Sequence, residues 1–363
     1  MNTLSDMRHS HLDTHTASFK GDVKPKIIVV LGPTATGKTE ASIELALKLK
    51  THNITAEIIN ADSMQVYKGF DVGTAKPTLD QMQRVRHHLL GTVPPTQMYN
   101  ASQYVHTAQS LIAEIHANNV LPIIVGGTNL YIEGLLWPSI LDMRLQNSET
   151  TDAYHGKSVV QLYDELMKLD PQRAAMLHCN DRKRITRSLD VIKTSGMKHS
   201  DLIAVRLSEK QEAGSKYDSI LFAMHCDPTE HRKRIKRRCH KMIEDGIVDE
   251  CKELINLIET NAIDKHKGIC QSIGYKELIP IIRDTIGNNA DIDEQTKELC
   301  IEKLEIATWQ YARRQRTWIT NRFKKSQITR VIAIDTTDVA LWNDKVIGTM
   351  EREVLMWYNA KEN

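Results

Sequence analysis

Short apolar runs alternate with longer amphipathic stretches through the first third of this chain. Ile27–Leu31, Ala56–Asn60 and Leu121–Val125 read as strands, and Thr39–Lys50 and Ser102–Asn118 as helices. Buried strands separated by helices predict a parallel sheet covered on both faces. Functional groups in such sheets gather at the carboxyl ends of the strands. Three polar segments stand there: Gly32–Thr39, Asp62 and Gly126–Thr128. They are expected to face one crevice.

After Pro138 the character changes. Ser139–Lys157 is polar and reads as an irregular connection, and Gln161–Lys168, Pro171–Leu177 and Asp181–Thr194 as short helices. Ile220–His225 reads as a strand returning to the sheet. A long helix follows from Thr229 to about Glu244, with further helices to about Lys325. Val331–Asp335 reads as a last short strand, and Val339 onward as a closing amphipathic helix. The expected division is a disordered lead-in (1–24), a first part of the core (25–138) and a helical insertion (139–200). A second part of the core with basic C-terminal helices (201–330) and a C-terminal extension (331–363) complete it. No internal repeat or low-complexity tract interrupts this order.

The first strand opens into Gly32-Pro33-Thr34-Ala35-Thr36-Gly37-Lys38-Thr39, a G-x-x-x-x-G-K-T sequence, and a helix follows. That order of strand, loop and helix is what a phosphate-binding loop requires. Its glycines allow consecutive N–H groups to converge on one anion, and the helix adds the positive end of its dipole. Lys38 supplies a point charge, and the Thr39 hydroxyl can hold Mg²⁺. The fold class expected is α/β: a P-loop NTPase-like parallel-sheet core with helices on both faces and a helical insertion.

Composition narrows the partners. The 363 residues are 41% hydrophobic and 26% charged, with a formal net charge of +2, so any nucleic-acid surface must be local. No apolar run approaches the roughly 20 residues of a membrane span. Six scattered cysteines without a C-x-x-C pair argue for reduced thiols and against a zinc site. The lead-in carries Asp6, Asp13 and Asp22 against one arginine, Arg8, unlike a transit peptide. A cytoplasmic place is expected, with a mitochondrial or nuclear fraction left open.

Asp62 follows the second strand in Asn60-Ala61-Asp62-Ser63-Met64-Gln65-Val66-Tyr67. Beside bound phosphates a carboxylate can ligate metal or accept a proton, or it can merely cap the turn. Gly126-Gly127-Thr128-Asn129-Leu130-Tyr131 ends the third predicted strand where nucleotide hydrolases carry an acidic metal ligand, which makes hydrolysis less attractive. Thr128 and Tyr131 can present hydroxyls there, although a tight turn alone also accounts for the glycines. In the run His231–Lys241, Arg234, Arg238 and Lys241 fall on one helical face. Arg182, Lys183, Arg184 and Arg187 form a second basic cluster. Arg313, Arg314, Arg316, Arg322, Lys324 and Lys325 form a third, interleaved with Trp309, Tyr311, Trp318 and Phe323. Each can be a solvated face, and Trp309 and Trp318 can be core. Three such patches on a nearly neutral chain point to an RNA partner.

The phosphate loop, the Asn60–Tyr67 segment, Gly73-Thr74-Ala75-Lys76-Pro77, His87-His88-Leu89 and the Gly126–Tyr131 turn together resemble the tRNA dimethylallyltransferases (tRNA isopentenyltransferases). The likeness runs on through Asn180–Ile185, Gln271–Glu277 and Gln310–Gln315 and covers nearly all of Lys26–Phe323; the forms around Asn180, Gln271 and Gln310 resemble eukaryotic members more than bacterial ones. The resemblance implies transfer of a dimethylallyl group from dimethylallyl diphosphate to N6 of adenosine 37 beside a tRNA anticodon. Asp62 would then be the general base, with Thr128 near the target base. Gly32–Thr39 with Lys38, Thr39 and Mg²⁺ would hold the diphosphate, and Arg234 and Arg238 would reach it. The segment Ser63, Met64, Gln65, Val66 and Tyr67 would meet the RNA, with Tyr131. Arg182, Arg184 and Arg187 of the insertion would grip the anticodon stem-loop, and Arg313 and Arg314 would add to that grip. The chain is expected to act as a monomer, away from membranes, and to lack the zinc finger many eukaryotic members carry.

The near rival is an adenylate isopentenyltransferase acting on free AMP, ADP or ATP. Its substrate would not need the basic clusters. A P-loop kinase of a small metabolite, and a nucleotide-gated RNA-binding protein without catalysis, are the rivals from other classes.

Overall fold

The computed structural model describes residues 24–137, 154, 156–285, 292–324 and 330–360. The expected disorder of the lead-in and most of the irregular connection at 139–157 lie outside them. Among the described residues six strands form one parallel sheet in the order β3-β2-β4-β1-β5-β6. They are β1 (Lys26–Leu31), β2 (Ala56–Asn60), β3 (His87–His88), β4 (Leu121–Gly126), β5 (Asp218–His225) and β6 (Arg330–Asp335). β1 lies at the centre, so its run Ile27–Leu31 must be apolar on both faces. Ile28 and Val30 enter one core, and Ile27, Val29 and Leu31 the other. This two-sided burial is why the strands read as continuous apolar runs rather than alternating ones.

Helices α1 (Lys38–Thr51) and α14 (Gly348–Asn359) cover the first face through Ile43, Leu45, Met350 and Val354. On the second face, α4 (Ala101–Ala117) and α5 (Asn129–Leu136) bring in Ala108, Ile112 and Ile132. α4 begins where Asn100 and Gln103 form a reciprocal capping box.

A third apolar cluster lies beyond the strand ends. It joins α10 (Pro228–Glu244), α11 (Ile247–Glu259), α12 (Tyr275–Thr285) and α13 (Glu294–Trp318) to Val66, Tyr67 and Phe70. Asp227 starts α10 by accepting the N–H groups of Thr229 and Glu230 at 2.8 and 3.2 Å, with Pro228 at the first helical position. Two short helices, α2 (Asp71–Thr74) and α3 (Leu79–Arg84), link this layer to the sheet edge. The fourth cluster holds the insertion, built from α6 (Val159–Leu169), α7 (Pro171–Ala175) and α8 (Arg182–Ser195) around Leu162, Leu166, Ile185 and Leu189.

Three features depart from the sequence reading. The helical unit does not stop at Ser200: α9 (His199–Ala213) continues it, because Asp170 accepts both the N–H and the hydroxyl of Ser200 at 2.8 and 2.7 Å. Strand β3, two residues long, carries no periodic signal and is held by pairing Ile58 with His87 and Ile59 with His88. Residues 330–360 are an integral layer rather than an extension, since β6 pairs with β5 and Ile334, Val346, Ile347 and Trp357 enter the first core.

Candidate active site

The carboxyl ends of β1, β2 and β4 open into a crevice of about 980 Å³ that α10 and α13 close from above. All three expected segments contribute to its lining. β1 leads into the phosphate loop, whose first glycine lies so close to β5 that a Cβ at Gly32 would sit 2.9 Å from the Met224 carbonyl oxygen. The Thr36 hydroxyl and the Lys38 ammonium both donate to the Pro33 carbonyl at 2.8 Å, which fixes the curl of the loop. Gly37 takes φ +85° at the start of α1, a conformation that favours glycine. Thr34, Ala35, Gly37, Lys38 and Thr39 reach the crevice, while Gly32, Pro33 and Thr36 form its supporting backbone.

Burial pulls the Lys38 ammonium down to about 8. Asp62 opposes that shift and Arg238 adds to it, so the three charges sense one another across the crevice.

Asp62 leaves β2 on a turn that Asn60 braces, the Asn60 side chain donating to Leu89 O at 3.0 Å. One carboxylate oxygen, Oδ1, accepts the Met64 N–H at 2.9 Å, which is the turn-capping role. The other, Oδ2, lies toward Gly127 and the crevice. Thr128 stands behind this segment: its Oγ1 accepts the Ser63 N–H at 2.9 Å and donates to Ser63 Oγ at 3.2 Å. Glycine is needed at 126, where a Cβ would fall 2.2 Å from Ala61 O. The turn therefore packs against the Asp62 segment, and Thr128 aligns it from outside the crevice wall.

On α10, Arg234 and Arg238 face the crevice, and Met242 continues that face. Lys241, expected to share it, points outward with Lys233, Lys236 and His240 and pairs with Asp245 at 3.1 Å. The register explains the correction: positions 234, 238 and 242 repeat every four residues, and 241 falls off that row. The Arg234 guanidinium donates to the carbonyls of Thr336 and Thr337 at 2.6 and 2.9 Å, so the turn after β6 holds it in place. Burial lowers the Arg238 guanidinium, and the Asp62 carboxylate works against that.

Of the residues expected to meet RNA, Ser63, Met64 and Gln65 line the crevice. Val66, Tyr67 and Tyr131 do not; they are 0%, 2% and 3% exposed. Tyr131 stacks on Tyr104 with ring centroids 4.2 Å apart, and Val66 and Tyr67 pack beneath α10–α13. A hydroxyl on an apolar body satisfies a core position as well as a binding one, and sequence cannot separate the two. Arg184 and Arg187 lie exposed on α8, while Arg182 donates to the carbonyls of Lys157 and Tyr154 at 2.7 and 2.9 Å. On α13, Arg314 lines the crevice and Arg313 is exposed beside it. Trp309 is half-buried between the Arg232 and Arg316 guanidinium groups, and Phe323 is core.

Three side chains that the sequence reading named only within longer runs, His231, Tyr311 and Gln315, hold the site together. His231 Nε2 donates to Thr34 O at 2.7 Å; burial pushes its imidazole below the ordinary range, which favours the neutral donor form. Gln315 and Tyr311 both donate to Gly127 O, at 2.9 and 3.3 Å. Their spacing of four on α13 was a signal for this, because it places both on one face.

A family model described as IPP transferase matches residues 65–322, more than half of the chain. The chain belongs to the IPP transferase family. Among IPP transferase relatives, the tRNA dimethylallyltransferase of Halalkalibacterium halodurans is 34% identical over 326 residues, spanning 87% of this chain and 93% of that one. The tRNA dimethylallyltransferase of Homo sapiens is 30% identical over 342 residues, spanning 88% and 72%. A solved eukaryotic dimethylallyltransferase acting on tRNA superposes with a TM-score of 0.78 at 26% identity, over 93% of this chain and 81% of that one. The full-length tRNA isopentenylpyrophosphate transferase from Bacillus halodurans gives 0.60 at 31% identity, over 92% and 97%.

Proposed function

We propose that this IPP transferase moves a dimethylallyl group from dimethylallyl diphosphate to N6 of adenosine 37 in tRNA. The observation that carries it is one crevice lined together by a phosphate loop with Lys38, by Arg234 and Arg238, and by Asp62, with glycines instead of an acidic residue ending β4. A hydrolase would need an acid there to hold metal and water. A transferase needs a cradle for a leaving group and a base for an incoming amine.

The N6 lone pair attacks the allylic C1, the C1–O bond breaks, and the electron pair leaves with the diphosphate. The proton lost from N6 passes to Asp62, whose Oδ2 faces the crevice. Lys38, the loop N–H groups and the arginines stabilise the charge that grows on the leaving oxygens. Thr39 brings a hydroxyl into the crevice, a hard oxygen donor of the kind Mg²⁺ takes. When bound, Mg²⁺ would neutralise part of the diphosphate charge, with Thr39 as its protein ligand. Ser63, Met64 and Gln65 would contact the nucleotide that enters, while Thr128 holds their backbone in place. Arg184 and Arg187 on α8, with Arg313 and Arg314 on α13, would meet the phosphates of the anticodon stem-loop. The target base must leave its stack, at a cost of about a few kcal/mol.

No helix among the described residues is long and apolar enough to cross a membrane. A cytoplasmic monomer is part of this proposal.

Competition between acceptors tests the reading. Purified protein, labelled dimethylallyl diphosphate and Mg²⁺ are mixed with equal concentrations of tRNA and AMP. Label in tRNA at an adenosine beside the anticodon is expected, whereas label in AMP alone would support a free-nucleotide enzyme. Phosphate transfer from ATP to an acceptor would support a kinase.

A further inference from the structure

Gln315 is 4% exposed on α13, and its one amide spans the two halves of the crevice. Oε1 accepts the Thr34 N–H of the phosphate loop at 2.9 Å. Nε2 donates to Gly127 O, on the turn that carries Thr128 and packs against the Asp62 segment, also at 2.9 Å. The backbone carbonyl of Gln315 accepts from Asn129 Nδ2 at 3.3 Å, which anchors the helix to the same turn. A Cβ at Gly127 would lie 2.3 Å from Nε2, so glycine there admits the amide. From the opposite side His231 holds the Thr34 carbonyl.

β1 and β4 pair only as far as Leu31 and Gly126. Beyond that point the phosphate loop and the β4 turn diverge, and no ladder bond sets their separation. Gln315 spans the gap. We propose that Gln315 is a positioning residue that sets the distance between the diphosphate cradle and the Asp62 turn, and so between the allylic carbon and the attacking nitrogen. This rests on the transferase reading above. Reacting atoms must be held about 3–3.5 Å apart, and a misplacement of about 1 Å costs on the order of 100-fold in rate. The task needs one donor and one acceptor at a fixed spacing. Asparagine is too short for it, and an ionised glutamate only accepts.

The test compares wild type with Gln315→Met and Gln315→Glu. It measures affinity for inorganic pyrophosphate with Mg²⁺, affinity for tRNA, the single-turnover rate with both substrates saturating, and the melting temperature. For Gln315→Met both affinities should stay within about threefold while the single-turnover rate falls on the order of 100-fold. Gln315→Glu should be equally slow when ionised and regain rate relative to wild type as pH falls. Its protonated carboxyl offers the same donor and acceptor as the amide, and burial raises its titration. A Gln315→Met protein that melts lower but transfers at the wild-type rate per folded molecule would overturn the proposal. So would a loss confined to one substrate's affinity, or a Gln315→Glu deficit independent of pH. If Gln315→Met fails to fold, the pH recovery of Gln315→Glu decides alone. A wild-type protein that leaves tRNA unlabelled would refute the transferase reading itself, a result distinct from a working wild type and an unimpaired variant.

Discussion

Lys38 is the residue whose environment most directly forecasts a measurable behaviour. Its ammonium titrates near 8 because the crevice walls exclude water, with Arg238 adding to the shift and Asp62 only partly offsetting it. The charge is present below that pH and lost above it, so the dissociation constant for pyrophosphate should rise as pH climbs through about 8. Calorimetric titration across that range checks this, and a flat profile would take Lys38 out of the diphosphate site. The unfolded chain keeps the lysine proton to about 10.5 and so binds more protons between the two values. From this group alone stability should therefore increase with pH there. Tyr131 makes the opposite case. As a core residue stacked on Tyr104, it should tolerate Phe with unchanged tRNA affinity, whereas Tyr131→Ala should cost about 3–5 kcal/mol of folding stability by denaturant titration. A selective loss of tRNA binding in Tyr131→Phe would return the hydroxyl to the interface.

Helices set which charges face the crevice and which face solvent. α10 turns Arg234 and Arg238 inward and Lys233, Lys236 and Lys241 outward, and α8 and α13 present Arg187 and Arg313 to solvent. Arg313→Ala and Arg187→Ala should each weaken tRNA binding and flatten the salt dependence by about one unit of log–log slope. The turnover rate at saturating tRNA should stay unchanged. Filter binding over a salt series gives the answer, and an unaltered slope would place the phosphate contacts elsewhere.

The elements themselves were legible to within a residue or two where burial is two-sided, as in β1, β2 and β4. Fully apolar strands admit few alternatives. Single-helix registers were less legible: the basic run of α10 showed its charges but not that Met242, rather than Lys241, completes the inner row. The end of the insertion was missed because α9 is tied on by Asp170 and Ser200, polar contacts that leave no periodic trace.

For the whole molecule, the sequence order of Gly32–Thr39, Asp62 and Gly126–Thr128 already implied a common crevice, since a parallel sheet delivers all its strand ends to one edge. What closes that crevice was not legible. α13 brings Gln315 across 281 positions to Thr34, and the turn after β6 brings Thr336 across 102 positions to Arg234. Contacts at such separations depend on the packing of the third helical layer, which local pattern does not encode. In the proposed reaction one chamber would both grip the diphosphate and take the proton of the incoming amine.

Single-turnover transfer by Asp62→Asn tests this pairing of roles, with labelled dimethylallyl diphosphate and tRNA both saturating and both affinities measured beside it. Near-normal binding of each substrate is expected, with a transfer rate lower by about 10²–10⁴. An Asp62→Asn protein that transfers at the wild-type rate, or that fails only because tRNA no longer binds, would contradict it.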